Sequence, residues 1–277
     1  MSRVAQRWRN GRNQRRGYSE SEVEPGVRLR LYFDSELAKW IANGGFEITE
    51  RQFIKSYLRP GDIFVDVGAN IGLFTVIAAR SVGVHGKVCA FEPCVRTFAR
   101  LNENVTLNNQ RNILTCNTAL SDRTETRKMI TSRDGFDAWN SLAQPFAGKS
   151  FAAEQISCIT WDNFSRDHGL VGHVTLMKID VEGWELRVIE GAAESLLRDD
   201  APDLLVEFAD TTADLAGSSC RELYDRLVSF GYRMFTYNPE DREINPEELR
   251  VEYEYANLIA TKSPERLASR ARGRSMR

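Results

Sequence analysis

Residues 62–80 read Asp62-Ile-Phe-Val-Asp-Val-Gly-Ala-Asn-Ile-Gly-Leu-Phe-Thr-Val-Ile-Ala-Ala-Arg80, and their hydrophobic period changes midway. Ile63 to Val67 is a short apolar, β-branched run, the pattern of a buried strand. From Ile71 onward, Leu73, Phe74, Ile77 and Ala78 recur at helical spacing. The stretch is therefore a strand, a tight glycine-containing turn and a helix. Gly68 and Gly72 lack a Cβ, so the chain can bend there and a ligand can lie against the backbone. The helix N-terminus, with its free N–H groups, is expected to face the crevice at the strand's carboxyl end, where open α/β sheets bind ligands.

The spacing limits which ligand that is. The dinucleotide fingerprint is G-x-G-x-x-G, whereas Gly68-Ala-Asn-Ile-Gly72 lacks the central glycine. Asp66 stands just ahead of the turn, where its charge would repel a pyrophosphate. A ligand with a cationic or zwitterionic end suits the turn better. S-adenosylmethionine, with its ammonium, carboxylate and sulfonium, is such a ligand. An ordinary strand–helix turn with no ligand is the plain alternative for a glycine pair alone.

The same alternation continues. Lys87 to Glu92 is a second strand followed by a helix over Val95 to Leu107, and Ile113 to Leu120 is a third strand. Residues 123–150 read as irregular, with Trp139 as a residue that either stacks on a sugar or anchors the loop. Glu154 to Ile159, Val174 to Asp180 and Asp203 to Phe208 are further strands, and Tyr232 to Tyr237 and Tyr255 to Ala260 close the sheet. Helices are expected over Asp162 to His168, from Glu185 through Leu197, and over Cys220 to Phe230. Ahead of all this, residues 25–60 form a helical cap segment, with a helix from Thr49 to Leu58 and Thr49 as its N-cap. It packs over the ligand end of the sheet, with Glu47 and Glu50 near the open side as surface charges. Such alternation implies an α/β domain, a mostly parallel sheet with helices on both faces.

Length and charge agree with one domain over 25–262. The chain has 277 residues and a net charge of −2, unevenly spread. Residues 1–20 carry six Arg and one Glu, and residues 263–277 carry five Arg and one Glu. Residues 1–24 and 263–277 therefore read as basic, disordered segments. No apolar run is long enough to span a membrane, and the basic N-terminus lacks the apolar core of a secretory signal. The five Cys contain no C-x-x-C pair, which fits a reducing cytoplasm, and the three dispersed His exclude a His-based zinc site.

Four expected strands end in carboxylates: Asp66, Glu92, Asp180 and Glu207. In a parallel sheet these ends open on one rim, so the charges converge and repel unless a cation or hydrogen-bond donors sit among them. A sulfonium with ribose hydroxyls and an ammonium is one solution. A divalent metal on Asp180, Glu182 or Glu207 is the other. Glu92, at the end of the second strand, is placed to accept hydrogen bonds from ribose hydroxyls. Ser121 and Asp122 fall where an adenine edge would lie.

Phe64-Val-Asp-Val-Gly-Ala-Asn-Ile-Gly72, Ala90-Phe-Glu-Pro93, Asn117-Thr-Ala-Leu-Ser-Asp122 and Lys178-Ile-Asp-Val-Glu-Gly183 together resemble the FkbM family of class I S-adenosylmethionine-dependent methyltransferases. Ser157-Cys-Ile-Thr-Trp-Asp162 resembles the segment before that family's fourth core strand, and the resemblance covers roughly residues 45–262. It implies a Rossmann-like sheet of seven strands with an antiparallel final strand. It also implies that Asp66, Gly68, Asn70 and Gly72 face the methionine part of S-adenosylmethionine. Glu92 would then hold the ribose, Ser121 and Asp122 would neighbour the adenine, and Asp180 would lie beside the transferring methyl. Implied acceptors are hydroxyls of sugars, glycans or polyketide-like molecules, with Asp180 and Glu182 as general-base candidates; Glu182 as a helix cap is the alternative. Two other readings stay open: an RNA methyltransferase using the Arg-rich tails, and a non-catalytic binding module on the same fold. The acceptor's identity and the oligomeric state are not legible.

Overall fold

The structure, a computed structural model, describes residues 16–132 and 151–273. Trp139 and the 135–150 loop lie outside the described residues. The chain runs through a hairpin of β1 (Tyr18–Glu24) and β2 (Val27–Tyr32), then α1 (Glu36–Ala42) and α2 (Ile48–Tyr57). The α/β core follows: β3 (Ile63–Val67), α3 (Leu73–Val82), β4 (Lys87–Phe91), α4 (Val95–Leu107) and β5 (Ile113–Cys116). Next come β6 (Ala119–Leu120), β7 (Glu125–Ser132), β8 (Phe151–Ile159), α5 (Trp161–Asp167), β9 (Leu176–Ile179), α6 (Glu185–Glu190) and α7 (Ala193–Leu196). The chain closes with β10 (Asp203–Phe208), α8 (Asp210–Leu215), α9 (Cys220–Ser229), β11 (Arg233–Asn238), β12 (Glu243–Pro246), β13 (Ala256–Thr261) and α10 (Pro264–Ala271).

The main sheet has the order β12-β11-β13-β10-β9-β3-β4-β5. Its five strands β5, β4, β3, β9 and β10 are mutually parallel. β13 is antiparallel to both β10 and β11, and β12 is antiparallel to β11. The sheet is thus mixed and eight-stranded, not the seven-stranded, mostly parallel one expected. The extra strand, Glu-Ile-Asn-Pro, is largely exposed and pairs on one side only. It carries no hydrophobic alternation for a sequence reading to detect, and its Pro246 is tolerated because it sits at an edge.

Period-2 alternation sorts the strand side chains into two cores. Val65, Val67, Met177, Ile179, Leu204 and Val206 pack on one face with α5, α6 and α9. Phe64, Val88, Leu176 and Leu205 pack on the other with the cap segment, α3 and α10. Asp66 and Lys178 share the parity of Phe64 and Leu176, and both are almost wholly buried.

Several expectations change. The run Ile113 to Leu120 is two strands, broken at Asn117, whose amide donates to the carbonyls of Glu92 and Pro93. β6 leaves the main sheet and joins β7 and β8 in a three-stranded sheet, so residues 125–132 are ordered strand and not irregular connector. The N-cap of α2 is Glu47, at φ +44°, and Thr49 lies inside the helix. The basic segments are partly structural: Tyr18–Glu24 is a strand, and α10 buries Leu267 and Ala271. Arg270 of α10 pairs with Asp62 at 2.6 Å, and Arg266 pairs at 2.6 Å with Asp203, which is fully buried. Asp203 also accepts from Thr261 at 2.6 Å and from the Tyr57 hydroxyl, tying α2, β10, β13 and α10 together. Along β2, the N–H groups of Arg28 and Arg30 are taken by Asn108, the C-cap of α4, and by Asn104 within α4, at 2.9 and 2.7 Å. Two Asn one helical turn apart therefore cap the strand edge and hold the hairpin against the core.

Candidate active site

The carboxyl ends of β3, β4, β9 and β10 open into a cavity of about 720 Å³, roofed by the cap segment. Its floor is the turn after β3. Gly68 has φ +82° and Asn70 has φ +48°. The turn's donors are engaged within the protein. The N–H groups of Gly68 and Ala69 bond to the Phe91 carbonyl, and that of Gly72 bonds to the Ala69 carbonyl. Those of Asn70 and Ile71 are taken by Glu92 Oε2 and Asn70 Oδ1, at 3.0 and 2.8 Å. With these five N–H groups engaged, the turn does not offer the nest that cradles a phosphate. The glycines serve packing: a Cβ on Gly68 would lie 1.8 Å from the Asp180 carbonyl oxygen, and one on Gly72 would lie 2.6 Å from Leu101 Cδ1. The sequence reading had assigned that space to a ligand.

Glu92 lines the cavity at 5 % exposure, fixed by Asn70 N–H on Oε2 and by Cys94 N–H on Oε1, each at 3.0 Å. Asn70 also lines it. Asp66 does not: it is fully buried, accepts from Thr75 Oγ1 at 2.5 Å, and leaves Oδ1 without a hydrogen-bond partner. Burial pushes its carboxyl above the usual range, against the opposing pull of Lys178. Ser121 and Asp122 do not line the cavity either. Ser121 accepts from Trp184 Nε1 at 3.1 Å and donates to Asp122 Oδ1 at 3.1 Å, and Asp122 pairs with Arg123 at 2.8 Å. Burial works against the Asp122 charge, yet these bonds and Arg187 hold its carboxyl below the ordinary value. The wall expected from Ser121 and Asp122 is instead made by Ala119, Leu120, Met129 and Trp184.

At the ends of β9 and β10 the carboxylates meet as expected. Oxygens of Asp180, Glu182 and Glu207 lie within 4.8 Å of one another. Lys178 Nζ reaches Asp180 Oδ2 at 2.6 Å and rests 4.7 Å from the centre of the Phe74 ring. Burial alone would depress this ammonium, but Asp180, Glu47 and Asp66 hold it above its ordinary value. Glu182 and Glu207 are pushed well up, first by burial and then by Asp180 and the neighbouring glutamates. Glu185 caps the loop below, accepting from the N–H groups of Val181 and Gly183 at 2.9 and 3.2 Å; burial raises it to about 7.

The sequence reading left Glu47 as surface charge and gave no site role to Lys178, Trp40, Phe46 or Tyr255, all of which line the cavity. Tyr255 donates to Glu47 Oε1 at 2.9 Å, while Glu47 Oε2 is buried without a partner. Burial lifts Glu47 to about 8, with Asp180 and Glu50 adding to the rise and Lys178 opposing it. Trp40 stacks on Phe46 at 6.4 Å and remains 45 % exposed at the mouth. Of these, only Lys178 left a local trace, since Lys178 and Asp180 are two residues apart on one strand face.

Among solved structures, the chain is similar to methyltransferase FkbM from Methylobacillus flagellatus at 14% identity and a TM-score of 0.45, covering 81% of this chain and 52% of that one. The chain thus spans about half the length of that protein. It is also similar to a SAM-dependent methyltransferase from Aquifex aeolicus, at 12% identity and a TM-score of 0.42 over 77% and 88% of the two chains. A SAM-dependent O-methyltransferase from Thermotoga maritima gives 15%, 0.41, and coverage of 78% and 65%. No match was found among curated proteins. The family described as methyltransferase FkbM domain matches residues 66–234, more than half of the sequence and the run from the end of β3 to the start of β11. The chain belongs to the FkbM methyltransferase family.

Proposed function

We propose that the protein transfers a methyl group from S-adenosylmethionine to a hydroxyl of a sugar, a glycan or a glycosylated, polyketide-like small molecule. The observation that carries this reading is the cavity lining: six carboxylates (Glu47, Glu92, Asp180, Glu182, Glu207 and Glu254) and one ammonium, Lys178. A cationic donor is what such a rim accommodates, and the engaged N–H groups of the Gly68–Gly72 turn argue against a polyphosphate. The volume lies within the roughly 300–1,000 Å³ of small-molecule sites, enough for a nucleoside-sized donor and a sugar-sized acceptor.

Bound there, the sulfonium supplies an activated methyl group. The protein's own part is positioning, exclusion of water and removal of the acceptor's proton. Glu92, oriented by two backbone N–H groups, would accept from ribose hydroxyls. Ala119, Leu120 and Met129 give the adenine an apolar wall, and Asn70 and Asp180 flank the donor's amino-acid end. Asp180 Oδ2 is engaged by the Lys178 ammonium at 2.6 Å. Glu47, lifted to about 8 by burial, and Glu182, pushed well up by burial, are the groups matched to taking a proton from a hydroxyl. On the acceptor side, the Trp40–Phe46 pair presents an apolar ring face while carboxylates line the interior, the combination a pyranose uses. The RNA reading is weakened, because Arg266 and Arg270 of the basic tail are paired with Asp203 and Asp62 inside the fold.

The test is calorimetric titration with S-adenosylmethionine, followed by methyl transfer from labelled donor to a panel of free sugars, glycosides, aglycones and RNA. Turnover restricted to acceptors bearing a sugar hydroxyl supports the reading. Turnover of aglycones or RNA alone, or absence of donor binding, overturns it.

A further inference from the structure

We propose that Asp180, Glu182 and Glu207 together bind one hard divalent cation of the Mg2+ or Mn2+ type at the floor of the cavity. The three carboxylates come from two strand ends and the loop after β9, and each offers an oxygen within 4.8 Å of the others. Oxygens bound to one such ion at about 2.0–2.6 Å lie no more than about 4–5 Å apart, so a single ion can touch all three. The donor set is purely carboxylate oxygen, which suits Mg2+, Mn2+ or Ca2+ and not the softer metals.

Glu207 supplies the independent sign that something is held there. It is 5 % exposed and lines the cavity, and its Oε2 is buried with no hydrogen-bond partner. Buried carboxylate oxygens of native proteins are nearly always satisfied, so this one points to a missing ligand. The ammonium of Lys178 does not fill that role, because its hydrogen bond is to Asp180 Oδ2 and not to Glu207 Oε2. That contact leaves Asp180 Oδ1 for the ion.

Such an ion would keep open positions for water or for an acceptor hydroxyl, whose acidity it would raise. Glu47, outside the cluster and bonded to Tyr255, would then be the group left to take the proton. This last assignment rests on the functional reading above; the binding of the ion does not.

The test is titration of the metal-free full chain with Mn2+, following the loss of the free-ion electron paramagnetic resonance signal. It is run with and without saturating S-adenosylmethionine, on wild type, Glu207→Gln, Asp180→Asn and Glu92→Gln, each checked for folding by circular dichroism. One Mn2+ per chain is expected, retained with donor present and displaced by Mg2+. The near-isosteric Glu207→Gln should weaken it by more than the about 10- to 100-fold that loss of a supporting hydrogen bond costs a metal site. Asp180→Asn should do the same, and Glu92→Gln should leave it unchanged. No binding by wild type, unaltered binding in Glu207→Gln, or displacement of Mn2+ by the donor would each overturn the inference. The last would make the cluster the sulfonium's own counter-charge. Mn2+ binding without any methyl transfer would instead sink the functional reading alone. Full turnover in chelated protein that binds no Mn2+ would sink the cation alone.

Discussion

Replacing Gly68 by Ala separates two roles that a motif glycine can have. In this structure the space beside Gly68 is occupied by the Asp180 carbonyl, 1.8 Å from where the Cβ would stand, whereas ordinary contact begins at 3.4 Å. The two strand ends would have to part by about 1.6 Å. That separation strains the hydrogen bond from Asp180 N–H to the Val67 carbonyl, now 3.1 Å, which joins β9 to β3. The residue also sits at φ +82°, where an L side chain costs about 1–2 kcal/mol. Overpacking adds about 1–3 kcal/mol and a weakened hydrogen bond about 1 kcal/mol. The total of roughly 3–6 kcal/mol is a large share of the about 5–15 kcal/mol that holds a domain together. Urea unfolding of the ligand-free protein, followed by circular dichroism, reads this directly. If the variant stays within about 1 kcal/mol of wild type yet loses S-adenosylmethionine, the glycine exists to admit the ligand and the packing argument is wrong.

Two further outcomes follow from the site. In Glu92→Gln an amide nitrogen faces either Asn70 N–H or Cys94 N–H, leaving that donor unpaired at a cost of about 1–3 kcal/mol. S-adenosylmethionine affinity should fall at least about tenfold through the lost ribose acceptor, and unchanged calorimetric affinity would remove Glu92 from the donor site. Glu47 and Glu185 titrate in the folded protein at about 8 and about 7, above their ordinary 4.5. The folded state therefore retains protons that the unfolded chain has released, so their contribution is fully present below pH 4.5 and is lost as pH rises through 7 to 8. Thermal melts of the ligand-free protein should drop across that window, and Glu47→Gln should flatten the drop. A wild-type curve no steeper than the variant's would contradict the assignment.

What was legible followed from local pattern. The β3–α3 unit, the carboxylates at the ends of β4, β9 and β10, and the convergence of Asp180, Glu182 and Glu207 all derive from short runs whose period fixes their geometry. Asp66 shows where that logic stops. Its position at a strand end is right, but strand parity turns it towards Thr75 and Lys178, beneath the floor and not into the cavity. Ser121 fails for a different reason: the chain leaves the main sheet at Asn117, so the residues two and three positions past the break belong to another sheet, and Ser121 stabilises Trp184 from behind. Helix α10 was hidden by its charge. Five Arg in a short tail read as a solvated arm until Asp203 and Asp62, 63 and 208 residues away in sequence, supply partners to Arg266 and Arg270.

The cavity therefore has two halves of different origin, and on the function proposed above this bears on how an acceptor would be chosen. The half proposed for the donor is built from strand ends whose chemistry is written in consecutive residues. The half proposed for the acceptor is assembled from Trp40, Phe46 and Glu47 of the cap segment and from Tyr255 just ahead of β13, which no sequence window contains together. These parts are tied by the Tyr255–Glu47 bond at 2.9 Å and by Asn257 donating to Glu50 at 3.2 Å. Glu47 holds its place at φ +44°, a left-handed conformation that a Glu adopts only under constraint from its surroundings. That local strain, together with burial of an acid lifted to about 8, is maintained at the mouth and not in the core. On the function proposed above, both are features expected of a wall shaped for an acceptor.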